Sequence, residues 1–161
     1  MLYLKEIFII LVLFTLVFCK VDYANAGSCM FCKHEVIVDQ SVFESDYFSV
    51  ILDIEPRVKG HLLVVPKRHI IKAHELSKEE WEELSVVIPR IVKIFSEFLN
   101  TDQYIILEKN GPNAFQQVPH VHFHLFPVHS QTWAEIFDIV PKQLSREEIE
   151  KEINVFRSYF F

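Results

Sequence analysis

The chain has 161 residues, half of them apolar and 24% charged, the balance of one folded domain rather than a disordered or fibrous chain. A formal charge of −6 excludes a broad electrostatic grip on duplex nucleic acid. Three glycines exclude a collagen-like repeat or a Gly-rich phosphate loop, and three cysteines exclude a disulfide scaffold.

Residues 7–19, IFIILVLFTLVFC, are apolar except for Thr15. A membrane-spanning helix needs about 20 residues, so the run suits a signal-peptide core better than an anchor. Ala24-Asn25-Ala26 supplies the small-x-small pattern of a cleavage site. The expectation is a signal peptide over 1–26, cleaved after Ala26, and export of one domain over 27–161 to the periplasm or outside. The alternative is a chain anchored in the membrane by residues 7–19.

Residues 31–50 alternate loosely through Val36, Val38, Val42 and Phe43. With the apolar run through 54 they suggest strands joined by a turn at Glu44-Ser45-Asp46. A loop at 55–60 leads to a strand over 61–66 that Pro66 closes. Ser77-Lys78-Glu79-Glu80 is a capping box opening a long helix, with Trp81, Leu84, Ile88, Ile91, Phe95 and Phe98 at helical spacing. Pro89 is expected to kink it. Strands over 103–109 and 118–128 flank a break at Asn110-Gly111-Pro112-Asn113. Ser145-Arg146-Glu147-Glu148 caps a terminal helix that carries Ile149, Ile153 and Phe156 on one face. These elements make an α+β domain with a mostly antiparallel sheet of about five strands.

The informative stretch is His120-Val121-His122-Phe123-His124. In a strand, alternate side chains share a face, with neighbouring like-facing Cα atoms roughly 6.6 Å apart. Val121, Phe123 and Leu125 then enter a core and aim three imidazoles the other way. Such a row suits either zinc or a neutral-imidazole nucleophile with neighbours that move protons. Gln116 and Gln117 are amides that can donate to phosphate oxygens, and no carboxylate sits nearby in sequence, which favours phosphoryl chemistry. Cys29 and Cys32 have the spacing of a zinc pair and equally of a redox pair, although no βαβ pattern follows them. His34, His74 and His129 read as surface residues, and Trp81 and Phe95 as core.

The run His120 to Phe126 resembles the signature of the histidine triad family, His-apolar-His-apolar-His-apolar-apolar. Cys29-Met30-Phe31-Cys32 resembles the family's opening. Leu52-Asp53-Ile54 and the Lys59-Gly60-His61 to His69-Ile70 stretch resemble its central segment. The likeness spans about Cys29 to Pro127, leaving 128–161 as a C-terminal extension.

The resemblance implies a nucleotide hydrolase or nucleotidyl transferase acting at the α-phosphate, on substrates such as dinucleoside polyphosphates or nucleoside phosphoramidates. His122 would be the nucleophile, forming a nucleotidyl-histidine. His124 and Gln116 would contact phosphate oxygens, with Gln117 and Asn110 beside them. His61 would join the proton relay next to His122, and His120 would support the row from behind. Asp53 would take both ribose hydroxyls, and Ile51 and Ile54 would wall the base. The family also implies a homodimer through the sheet and long helix, and no catalytic cofactor. In some members a structural zinc joins positions matching Cys29, Cys32, His69 and His120; a Cys29–Cys32 disulfide is the alternative. The chain departs from the family pattern at Ala114-Phe115, where a Gly-rich turn is usual, at Lys109, where an amide is common, and at Gln117, which replaces a small hydroxyl residue. A nucleotide-binding module without turnover, and a zinc hydrolase using the histidine row as ligands, are the competing functions.

Overall fold

The computed structural model of the chain describes residues 26–161. The apolar run 7–19 therefore lies outside the described residues. Five strands form one antiparallel sheet: β1 (Ser41–Glu44), β2 (Phe48–Leu52), β3 (Leu62–Pro66), β4 (Tyr104–Glu108) and β5 (Phe123–Pro127), in the order β1-β2-β3-β5-β4. The expected turn at Glu44-Ser45-Asp46 joins β1 to β2. Every residue of β2 and β3 is buried, because both faces of the sheet centre are covered.

One face carries the main core. Val50, Leu52, Leu62, Val64, Phe123 and Leu125 pack beneath the long helix, which supplies Leu84, Val87, Ile91, Ile94 and Phe95. That helix (Lys78–Leu99) opens on the expected capping box: Ser77 Oγ accepts from the Glu80 N–H, and the Glu80 carboxylate accepts from the Ser77 N–H at 2.7 Å. It runs through Pro89 without ending there and closes at Asn100, which takes the left-handed conformation. The terminal helix (Arg146–Phe160) opens on the second box, at Ser145 and Glu148. It is not peripheral: Ile153, Phe156 and Phe160 enter the same core. Phe95 is fully buried, whereas Trp81 is largely exposed and stands edge-on to Phe123.

The other face holds a smaller cluster of Cys29, Phe31, Ile51, Leu63 and Val65. Covering it is a short helix, α1 (His34–Gln40), where a strand was expected. The β-branched run Val36-Ile37-Val38 favours a strand by propensity alone. Burial decides otherwise: Ile37 turns onto the cluster while Val38 stays exposed. With the long helix as α2, a further short helix, α3 (Trp133–Asp138), precedes the terminal helix α4. Its capping box, Thr132 and Glu135, is the same signal that marks α2 and α4, and it was not read in the sequence.

The last strand is shorter than the expected 118–128. Pro119 has no N–H to give a ladder, and the chain bends so that the His120 N–H meets the Val118 carbonyl at 2.8 Å and the Val121 N–H that of Ile70 at 2.8 Å. Pairing with β3 and β4 starts only at Phe123. The alternation survives the bend nonetheless. Val121, Phe123 and Leu125 lie in the main core, and the three histidines face away from it.

Candidate active site

Three rings from one short segment are given three different surroundings. His122 is buried, and its Nδ1–H donates to the His120 carbonyl at 2.7 Å, which leaves Nε2 as the free lone pair. Its ring stands edge-on to Phe31 and to His124, with centroids 5.2 and 4.9 Å away. Burial is the main cause that lowers its pKa, so the ring is neutral near pH 7.

His124 belongs to a second chain of contacts. Its Nδ1 is 2.9 Å from His61 Nε2, and His61 Nδ1 is 3.1 Å from an Asp53 carboxylate oxygen. Burial holds His61 well below the usual imidazole range and brings His124 down to about 3. Burial also raises Asp53, whose other oxygen accepts the Glu55 N–H at 2.8 Å. His61 is thus hydrogen-bonded to His124, and none of its hydrogen bonds among the described residues reaches His122. The Asp53 carboxylate faces His61 at ion-pair distance, without a hydrogen bond to its Nδ1.

His120 faces elsewhere. Its Nε2–H donates to the Pro66 carbonyl at 2.8 Å, so Nδ1 points its lone pair at Cys29 Sγ (3.4 Å), Cys32 Sγ (3.5 Å) and His69 Nδ1 (3.3 Å). Cys32 Sγ lies 3.2 Å from His69 Nδ1, and both cysteines are free. Tetrahedral zinc, with Zn–S about 2.3 Å and Zn–N about 2.0–2.1 Å, places S···N pairs roughly 3.5 Å apart and N···N pairs roughly 3.3 Å apart. The four residues match that spacing and fit the ion, and the Pro66 carbonyl orients the His120 ligand from behind. The triad does not converge on one point: His120 groups with Cys29, Cys32 and His69, and His124 with Asp53 and His61.

A recess of about 180 Å³ is lined by Asp53, His61, His124, Gln117, Arg57 and Lys109, among others. It shares Arg57, Leu107, Lys109, Gln117 and Phe137 with an adjoining cleft of about 1060 Å³, walled further by Phe115 and Trp133. Gln117 lines both cavities.

Four other residues expected at the substrate make contacts within the fold. Gln116 is buried at the wall of the cleft, its amide donating to the Ile71 carbonyl and accepting the Gly111 N–H, both at 2.8 Å, which braces the loop before the triad. Asn110 accepts the Ala73 N–H at 2.8 Å and donates to Glu108. Ile51 is fully enclosed under Phe31, and Ile54, whose carbonyl accepts the Leu144 N–H at 2.8 Å, lines neither cavity. His34, His74 and His129 are exposed, as expected.

The sequence reading missed Arg57, Lys109, Phe137 and Trp133 as lining residues. Lys109 was visible as a departure from the family pattern, and Thr132-x-x-Glu135 could have placed Trp133 and Phe137 on a helix. Phe115 holds the left-handed conformation (φ 60°) in which glycine is usual, with its ring exposed beside the cleft.

Residues 34–131 match the HIT domain family. The adenosine 5'-monophosphoramidase of Saccharomyces cerevisiae is 36% identical over 103 residues, 63% of this chain and 63% of that enzyme. The chain thus spans somewhat less than two thirds of that relative's length. The bis(5'-adenosyl)-triphosphatase of Dictyostelium discoideum is 32% identical over 124 residues, 73% of this chain and 83% of that enzyme. A zinc-bound histidine triad family protein of Mycobacterium smegmatis superposes with a TM-score of 0.64 at 27% identity, covering 84% of this chain and 94% of that one.

The expectation of export is corrected. The two relatives described above are named as nucleotide hydrolases and align with the domain, and no helix among the described residues is long and apolar enough to cross a membrane. Neither finding supports an exported or anchored protein. The matched segment, the triad and the five-stranded sheet agree, and the chain belongs to the HIT domain family.

Proposed function

We propose that the chain hydrolyses a nucleoside phosphate derivative at its α-phosphate through His122. The observation that carries this reading is the 2.7 Å bond from His122 Nδ1–H to the His120 carbonyl, which fixes the tautomer with Nε2 free to attack. The P–Nε2 bond forms as the bond to the leaving group breaks, and the leaving group takes up a proton. Water then attacks phosphorus, the P–N bond breaks, and a nucleoside monophosphate departs. The Asp53–His61–His124 contacts supply a path for the proton between leaving group and water. The relatives named for an adenosine phosphoramidate and for a bis(adenosyl) triphosphate support this class of substrate. The test is to mix the protein with α-labelled nucleotide substrates and quench. Label should appear on a histidine and as monophosphate, and both should be absent from His122→Ala. Tight nucleotide binding without monophosphate release would instead establish the binding module.

Zinc at Cys29, Cys32, His69 and His120 is proposed as structural, since four protein ligands leave no open position. It would tie the N-terminal segment to the bend that carries the triad. A homodimer is also proposed. Strand β4 ends the sheet with Tyr104 and Ile106 exposed, an unpaired edge that a second copy would cover. Ile106→Lys should then shift the sedimentation of the full chain from dimer to monomer, and a monomeric wild type would overturn it.

A further inference from the structure

Lys109 and Arg57 stand where the catalytic recess meets the larger cleft, since both line both cavities. Among the described residues, Arg57 is fixed there without an ion pair to a carboxylate. One guanidinium nitrogen donates to the Phe137 carbonyl at 2.8 Å and the Ile139 carbonyl at 2.5 Å, and the group lies 5.7 Å over the Phe137 ring. Lys109 is half-buried, and among the described residues its ammonium forms no ion pair or side-chain hydrogen bond. The acidic neighbours are Asp53, which is turned to His61, Glu55, which is exposed at the recess, and Glu108, which binds Asn110. Burial and the Arg57 charge lower the Lys109 pKa, as an uncompensated cation requires.

Half-burying a cation without a partner is unfavourable unless an anion arrives to complete it. The reacting phosphoryl belongs in the recess beside His124. The wide cleft lies beyond the two cations, and a leaving group that extends from the recess into it passes both. Resting on the hydrolytic reading above, the geometry points to Lys109, positioned with Arg57, as the residue that selects substrates whose leaving group is itself anionic. An amide at position 109, common in the family pattern, could donate a hydrogen bond but carries no charge to make this distinction.

The full chain is assayed on three probes sharing one adenosine 5'-phosphoryl unit: an adenosine polyphosphate, a phosphoramidate of an uncharged alkylamine, and a phosphoramidate of an amine bearing a carboxylate. The readout is the ratio of kcat/KM for each anionic probe to that for the uncharged one, compared between variants. This ratio is independent of the fraction of enzyme folded, and the different intrinsic reactivities of the probes cancel. Lys109→Met should lower it about tenfold or more, while Lys109→Arg keeps it within about threefold. A fall for both anionic probes identifies general anion selection, and a fall for the polyphosphate alone narrows it to phosphate. A ratio that Lys109→Met leaves unmoved, with turnover of all probes reduced together, overturns the inference and leaves the hydrolase standing. No turnover of any probe by the wild type overturns the hydrolase and the inference with it.

Discussion

The His120 carbonyl accepts the Nδ1–H of His122 at 2.7 Å, while the His120 ring turns the other way, to Cys29 and Cys32. Backbone and side chain of one residue thereby serve two centres. The carbonyl stays in place whatever side chain position 120 carries, whereas the cluster needs the ring.

The two histidines should therefore fail differently. His122→Ala should reduce turnover by about a thousandfold or more with little change in melting temperature, because it removes the nucleophile and leaves the cluster intact. His120→Ala should lower the melting temperature first, with a smaller loss of turnover per folded molecule. Thermal melts beside single-turnover kinetics would check both. Equal and complete loss of chemistry in folded His120→Ala would assign its ring to the reaction.

The second prediction concerns the cluster itself. Metal analysis of the purified protein should find one zinc per chain, and Cys32→Ser should lose it. The ion binds only the folded arrangement, so its loss should lower the melting temperature by several degrees. If the protein carries no metal and Cys29 and Cys32 resist thiol reagents until reduced, the pair is a disulfide instead.

Much of this arrangement is legible in the chain because its signals are local. Capping boxes mark α2 and α4, and alternation at Val121, Phe123 and Leu125 marks the face that carries the histidines. What the sequence hides is set by tertiary contact. Nothing local tells that Gln116 turns inward to the Ile71 carbonyl, or that Ile37 makes a helix of a β-branched run by packing on the Ile51 cluster. Likewise Arg57 looks like an ordinary loop residue until α3 brings two carbonyls to it from 80 and 82 positions away.

Glu80 offers a pH test of stability remote from the histidines. Its buried carboxylate takes the Arg68 guanidinium at 2.7 and 3.1 Å and also accepts the Ser77 N–H. The Arg68 hydrogen bond is the largest cause that holds its pKa below the usual value. A carboxyl depressed by folding stabilises the protein above its unfolded pKa, about 4.3, and that contribution fades as pH falls through the lower folded value. Glu80→Gln should cost about 1–3 kcal/mol near neutrality, with the gap to wild type shrinking toward pH 3 in urea titrations. A gap constant across that range would mean the charge contributes nothing.

Gly60 links the terminal helix to the relay. It precedes His61, adopts φ +81°, and an added Cβ would stand 2.5 Å from Leu99 Cδ1 and 3.4 Å from the Phe156 ring. Gly60→Ala thus meets two penalties, the positive-φ conformation and a clash with the Leu99 side chain of α2. The neighbouring backbone also holds the relay in register, since the Asp53 N–H donates to the His61 carbonyl at 3.1 Å. The variant should lose about 2 kcal/mol or more of stability, and turnover per folded molecule should fall as His61 shifts against Asp53 and His124. The clash involves the end of one flexible side chain, so Leu99→Ala should recover part of the loss, leaving the conformational strain. A double-mutant cycle on denaturation midpoints separates the two terms. Strict additivity would show that Leu99 and residue 60 do not meet, and that the backbone angle alone requires glycine there.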